Sequence, residues 1–309
     1  MRGWRWGLVL HPTRDVSEVV RTIIDWTGRH GVGLAVRAGD RERVPAEVSA
    51  LPASALAREC DALISIGGDG TMLGALRLTV DRPTPVLGVH LGQLGFLVEV
   101  QPEDLPAALD RLAAGTVTLE PHSCLTGEVC GDQVTAFNDI VLTRHPGEGF
   151  VLATLVIDGQ RYGYYRCDSL IVSTPTGSTA YSYAAGGPLV SPAAQATVLV
   201  PSAPMAGISR PVVLSPDELL RLELRRGSAR AAVEVDGRVI KHIDDDAVVE
   251  VRYRRDAGLV VRLDPRLHRE RSQLRLSLLD LPLLPDQLRE LLPAPLREEF
   301  DRRQSPPAL

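Results

Sequence analysis

An α/β first part with a parallel sheet, followed by a mostly β second part, is the fold class that this 309-residue sequence predicts. Three observations carry it. Compact apolar runs alternate with amphipathic stretches over the first third. The amphipathic stretches give way after Thr116, and from there short strand-like runs follow one another with hairpin signals between them.

The elements follow in order. Trp6 to Leu10 reads as a strand ending at the turn His11-Pro12-Thr13-Arg14. Val16 to Thr27 places Val16, Val19, Val20, Ile23, Ile24 and Trp26 on one stripe of a helix. Val32 to Val36 is a second strand, and a helix over Ala53 to Glu59 leads into a third, Ala62 to Ile66. A glycine turn comes next, then a helix over Met72 to Leu78 and a strand over Pro85 to Val89. Pro102 and Glu103 suit the start of a further helix and Gly115 its stop.

In the second part strands are expected at Val117 to Leu119, Leu125 to Val129, Asp139 to Thr143 and Val151 to Ile157. Others fall at Leu219 to Arg225, Ala231 to Val235, Val248 to Tyr253 and Leu259 to Leu263. Asp158-Gly159 and Asp236-Gly237 are hairpin turns. A single helix includes Tyr181 to Ala185. Antiparallel sheets packed face to face or closed on themselves result. The domains read as 1–116, 117–265 and a leucine-rich tail, 266–309, that packs back on the protein.

Composition narrows the function classes. A hydrophobic share of 44% suffices for two ordinary cores. Net charge is -5 with both signs spread along the chain, which speaks against a nucleic-acid footprint. Cys60, Cys124, Cys130 and Cys167 form neither a CxxC pair nor a zinc cluster, so reduced thiols are expected. The apolar stretch Gly7 to Leu10 is too short for a signal-peptide core or a membrane span. The reading is a cytoplasmic protein with no membrane partner.

Two motifs carry chemistry. Gly67-Gly68-Asp69-Gly70-Thr71 lies between a strand and a helix, where glycines permit a tight turn and the helix start offers N–H groups to a phosphate. It is neither GxGxxG nor GxxxxGK[ST]. The second runs from Asp168 through Ser173-Thr174-Pro175-Thr176-Gly177-Ser178-Thr179-Ala180-Tyr181. Its hydroxyls exceed what a helix cap needs and suggest a polar cradle for a nucleotide.

With these motifs, the chain resembles the NAD kinase family over roughly Trp6 to Leu263. The resemblance also rests on Gly88 to Leu97, Asn138-Asp139, Gly186-Gly187-Pro188 and Val235-Asp236-Gly237. Related diacylglycerol and sphingoid-base kinases share the glycine-aspartate turn; the segment Thr174 to Tyr181 separates this chain from them. The resemblance implies phosphoryl transfer from ATP, or another triphosphate or polyphosphate, to the 2′-hydroxyl of the adenosine ribose of NAD. Asp69 is then the general base, and Gly67, Gly68, Gly70 and Thr71 handle donor phosphates with Mg²⁺ or another divalent cation. Phe96, Asn138, Asp139, Arg166, Asp168, Thr176, Thr179, Ala180, Tyr181 and Asp236 line the NAD site. A homodimer or homotetramer is implied as well, with the loop around Asp236 reaching a neighbour's site.

Departures are visible. Asp139 stands where the family usually has Glu, and Ser169 where Gly is usual. Glu120-Pro121-His122-Ser123 lacks the arginine of the family's Glu-x-Arg, Met205 follows Pro204 where many relatives have Pro-His, and the chain after Leu263 diverges. A catalytically weak NAD(P)-binding regulator is the alternative that these departures suggest.

Overall fold

In the computed structural model, residues 3–92, 95–268, 293, 296 and 297 are described. The chain opens with β1 (Arg5–Leu10), α1 (Ser17–His30), β2 (Gly33–Arg37), β3 (Ser49–Leu51), α2 (Ala53–Glu59), β4 (Ala62–Gly67), α3 (Asp69–Leu78), β5 (Pro85–His90) and α4 (Leu105–Ala113). The strands pair in parallel in the order β3-β2-β1-β4-β5. Their apolar residues alternate between two cores, as a sheet covered on both faces requires. Trp6, Leu8, Ile64, Ile66, Leu87 and Val89 face α1 and α4, while Val9, Leu63 and Val86 face α2 and α3.

From Thr118 to Arg262 the regular elements are nearly all strands. They run β6 (Thr118–Val129), β7 (Asp132–Ala136), β8 (Asp139–Arg144), β9 (Val151–Ile157), β10 (Gln160–Cys167), β11 (Ser169–Ser173), the short α5 (Tyr181–Ala184), β12 (Thr197–Ser202), β13 (Ala206–Gly207) and β14 (Val212–Leu214). They close with β15 (Leu220–Leu224), β16 (Ala231–Val235), β17 (Arg238–Ile243) and β18 (Val248–Arg262). One antiparallel sheet has the order β14-β12-β11-β8-β16-β17. Its inner face, with Ile140, Leu142, Leu170, Val172, Leu199 and Val233, packs on β6, β9, β15 and β18. Both predicted hairpin turns are present: Asp158-Gly159 and Asp236-Gly237 take positive φ at each residue.

The strand β18 joins the two halves. Val248 to Val251 pair with β15, whereas Leu259 and Val260 run parallel to β5, so one twelve-stranded sheet spans both. Residues Met1–Pro265 form one compact unit. The expected breaks inside β6 and β18 are corrected: each is a single strand, β18 with an irregularity between Arg254 and Gly258. Cys60, Cys124, Cys130 and Cys167 are all free thiols. No helix among the described residues is long and apolar enough to cross a membrane. The leucines at 274, 276, 278, 279, 281, 283 and 284, expected to pack back on the protein, lie outside the described residues.

Candidate active site

The glycine turn is the junction of β4 and α3. Gly67 ends the strand, Gly68 caps the helix, and Asp69, Gly70 and Thr71 form its first turn. The helix therefore begins at Asp69 rather than Met72, because the amides of Thr71 and Met72 both donate to the Gly68 carbonyl at 3.0 and 3.1 Å. The amides ahead of them have no partner within the helix, which is the opening that an anionic group fills.

Asp69 is half-buried and held from outside its helix. Its Oδ2 accepts the Phe96 N–H at 2.7 Å and its Oδ1 the Leu97 N–H at 3.0 Å. Each oxygen keeps further acceptor capacity. The approach is so close that a Cβ at Gly95 would collide with Asp69 Oδ1. From the other side, the Leu91 amide donates to the Gly67 carbonyl at 3.2 Å.

A second group of predicted residues is knotted together beside the last turn of α3. Asp236 sits at φ 47° in its hairpin, and its side chain is 1% exposed. Its carboxylate pairs with Arg77 of α3 and accepts the amides of Asn138 at 2.7 Å and of Phe137 and Asp139 at 3.3 Å. Thr174 Oγ1 donates to the Phe137 carbonyl at 2.7 Å and accepts the Gly177 N–H at 2.9 Å. Gly177 is required there, since a Cβ would collide with the Asn138 carbonyl. The Phe137 ring packs in the same core as Leu73 and Leu76 of α3. One helix thus carries both motif groups, with about 12 Å of axial rise between Asp69 and Arg77.

Polar side chains in and beside this knot are left without hydrogen-bond partners among the described residues. No hydrogen bond among the described residues reaches the Asn138 side chain, which is half-buried. Asp139 is 3% exposed, and burial first, then the Asp236 and Glu234 carboxylates, raise its pKa to about 7. Opposite Asp139 in the β8–β11 ladder stands Ser173, whose buried hydroxyl has no hydrogen-bond partner among the described residues.

Several hydroxyls of the predicted cradle bond to nearby backbone. Thr174 is used as above, and Ser178 Oγ donates to the Pro175 carbonyl at 2.6 Å while accepting the Val190 N–H at 3.0 Å. A buried strand-to-helix turn has to satisfy its own backbone, and these hydroxyls do so. Thr179 Oγ1 donates to Thr176 O at 3.1 Å. Thr176, Thr179 and Ala180 stay half-buried, and Tyr181 is exposed. Arg166 lies over the Phe150 ring and Asp168 is forked with Arg144. No hydrogen bond or ion pair among the described residues joins either to the Asp69 turn or to the Asn138 knot. Arg77 and Gly95 carry roles that the sequence alone does not signal. A helix arginine and a loop glycine give no signal until their distant partners are known.

A parallel sheet ending in a glycine-aspartate turn at a helix start, next to a buried polar knot on a β-sandwich, defines a nucleotide-handling phosphotransferase. Comparisons make the class specific. The family profile of the ATP-NAD kinase N-terminal domain matches residues 8–117, and that of the ATP-NAD kinase C-terminal domain matches 137–263. The NAD kinase of Moorella thermoacetica is 40% identical over 207 residues, 66% of this chain and 67% of that one. NAD kinase 1 of Streptomyces avermitilis is 33% identical, over 90% of this chain and 88% of its own. Yeast NADH kinase, solved with NADH, superposes with a TM-score of 0.82 at 20% identity, covering 92% of this chain and 89% of its own. The chain belongs to the NAD kinase family.

Proposed function

We propose that this chain transfers a phosphoryl group from ATP, or another triphosphate or polyphosphate, to the 2′-hydroxyl of the adenosine ribose of NAD, giving NADP. The observation that carries the assignment of roles is the Asp69 carboxylate, anchored by two amides at the N-terminus of α3 with acceptor capacity left over. Asp69 takes the proton of the attacking hydroxyl, and the first turn of α3, with Gly68, Gly70 and Thr71, cradles the donor phosphates. The unpartnered Asn138 side chain, Asp139 and the half-buried Thr176, Thr179 and Ala180 suit the polar parts of the dinucleotide, with Phe96 and Tyr181 as aromatic surfaces.

Mg²⁺ fits as part of the donor substrate. No group of three His, Cys, Asp or Glu side chains among the described residues is placed to hold a cation. A magnesium ion brought in with the donor would need only one or two protein oxygens and would keep water, and it would supply charge neutralisation for the phosphates. The protein's part is to hold the hydroxyl and the donor in line.

Product formation tests the proposal. The acceptors NAD and NADH are each incubated with ATP, other nucleoside triphosphates and polyphosphate. A 2′-phosphorylated dinucleotide is expected from NAD with at least one donor, and no product with any donor contradicts the proposal.

Self-association as a homodimer or homotetramer is part of the same proposal. The edge strand β17 exposes Val239 (55%) and Ile240 (46%), an apolar edge that a partner would cover. Light scattering coupled to size exclusion should give a dimer or tetramer of the 33.4 kDa chain, and a fully active monomer would overturn it.

A further inference from the structure

A buried polar network lies directly behind the loop that grips Asp69. Arg262, at the end of β18, is 1% exposed. Its Nε and one terminal nitrogen fork onto the two oxygens of Glu120, each at 3.1 Å. Its other terminal nitrogen donates to the Leu97 carbonyl at 2.8 Å and lies 3.6 Å from Glu99. Glu120 also meets His122 Nε2 at 2.6 Å. His122 therefore occupies the position of the arginine missing from Glu-x-Arg, and the guanidinium comes from the facing strand instead. Although burial opposes its ionisation, bonds from His122 and Arg262 hold the Glu120 carboxyl far below the usual range, so the fork is a charged pair.

Leu97 is the residue where this network and the candidate site meet. Its carbonyl is held by Arg262, and its N–H, with that of Phe96, holds Asp69. We propose that Arg262 is a positioning residue: braced by Glu120, it fixes the 95–97 loop, and through the Phe96 and Leu97 amides it fixes the Asp69 carboxylate against the substrate hydroxyl. The planar guanidinium is suited to this because it serves a carboxylate and a carbonyl at once. A lysine in its place has one nitrogen and a different geometry. This inference rests on the reading of Asp69 as the general base.

Arg262→Lys keeps a buried charge for Glu120 and gives up the fork. Two readouts are compared with the parent protein: steady-state kinetics with NAD and ATP, and hydrogen–deuterium exchange of the segment containing the Phe96 and Leu97 amides. The expected result is a kcat about tenfold lower, with KM for NAD within about threefold, since small displacements of a reacting group cost rate more than binding. The Phe96 and Leu97 amides should exchange about tenfold faster. Glu120→Gln keeps the side-chain shape but weakens the brace, and should shift both readouts the same way by less. Unchanged exchange overturns the proposal whatever the kinetics, and so does faster exchange with an unchanged kcat. Full activity of Asp69→Asn would instead remove the reading of Asp69, while the exchange data would still report whether Arg262 holds the loop.

Discussion

Asp69→Asn is expected to lower kcat for NADP formation by about 100-fold or more, with KM for NAD changed by less than about fivefold. The magnitude is that of losing a general base, which is commonly worth 10²- to 10⁴-fold. The substitution is nearly isosteric. Its amide oxygen can still accept one of the two N–H groups of Phe96 and Leu97, at 2.7 and 3.0 Å in the parent. Its NH₂ group faces the other N–H with nothing to offer, so a modest loss of stability, about 1–2 kcal/mol, should accompany the kinetic loss. The separation of kcat from KM is the informative part. A residue that held NAD in the ground state would raise KM as well, whereas one that acts on the proton in the transition state leaves binding nearly intact. Steady-state kinetics on a variant with a parent-like circular dichroism spectrum make the comparison, and a kcat within threefold of the parent would remove Asp69 from the chemistry.

The second large effect is on stability and depends on pH. Burial raises the Asp139 carboxyl from 3.8 to about 7 in the folded chain. A raised carboxyl binds its proton more tightly when folded, so the folded state loses ground as pH climbs from the unfolded value to the folded one. The penalty begins near pH 4, grows by about 1.4 kcal/mol per pH unit and is complete above pH 7. Asp139→Asn cannot ionise and escapes it. In urea unfolding of the ligand-free protein, the variant should therefore gain about 2–3 kcal/mol on the parent between pH 5 and pH 8. Parallel pH profiles for the two proteins would show that Asp139 does not carry the effect. The departure from the family's usual Glu bears on this, because the shorter side chain keeps the carboxyl close to β8 and the buried ladder.

The parts of the fold that the sequence made legible are those where burial and period agree. Ala62–Gly67 falls within a residue of expectation, since a doubly covered strand is an unbroken apolar run, and the preceding helix, Ala53–Glu59, has the expected bounds. The strands β10 and β17 are implied by the hairpin turns that precede them, but the sequence sets no bounds for them. β17 is a sheet edge that turns Val239 and Ile240 outward, and β10 exposes Tyr162 and Tyr164, so neither presents the inward apolar alternation on which the reading depends. The strand β12 contains Pro201, which weakens a strand signal. The expected break in β6 fell on Glu120-Pro121-His122-Ser123. His122 is buried and Glu120 half-buried, polar though they are, because Arg262 comes from far along the chain to meet Glu120, which His122 also contacts.

The candidate site divides in the same way. The turn Gly67 to Thr71 was readable because a strand, glycines and a helix are consecutive. What holds it was not: Asp69 is fixed by Phe96 and Leu97, and Asp236 reaches back to the amides of 137–139. Asp236-Gly237 read as a hairpin and is one. That its carboxylate is turned inward, onto Arg77 and three amides of its own chain, follows only from the pairing of β16 with β8.

Transfer to the 2′-hydroxyl of the adenosine ribose fixes where the new phosphate must stand, and its position can be read directly. The product of NAD, ATP and Mg²⁺ with the purified protein is isolated and offered to a dehydrogenase specific for the 2′-phosphorylated dinucleotide, with phosphorus NMR on the same sample. A single new phosphomonoester and complete reduction by that enzyme are expected. A 3′-phosphorylated isomer, or no new phosphomonoester at all, would contradict transfer to the 2′-hydroxyl.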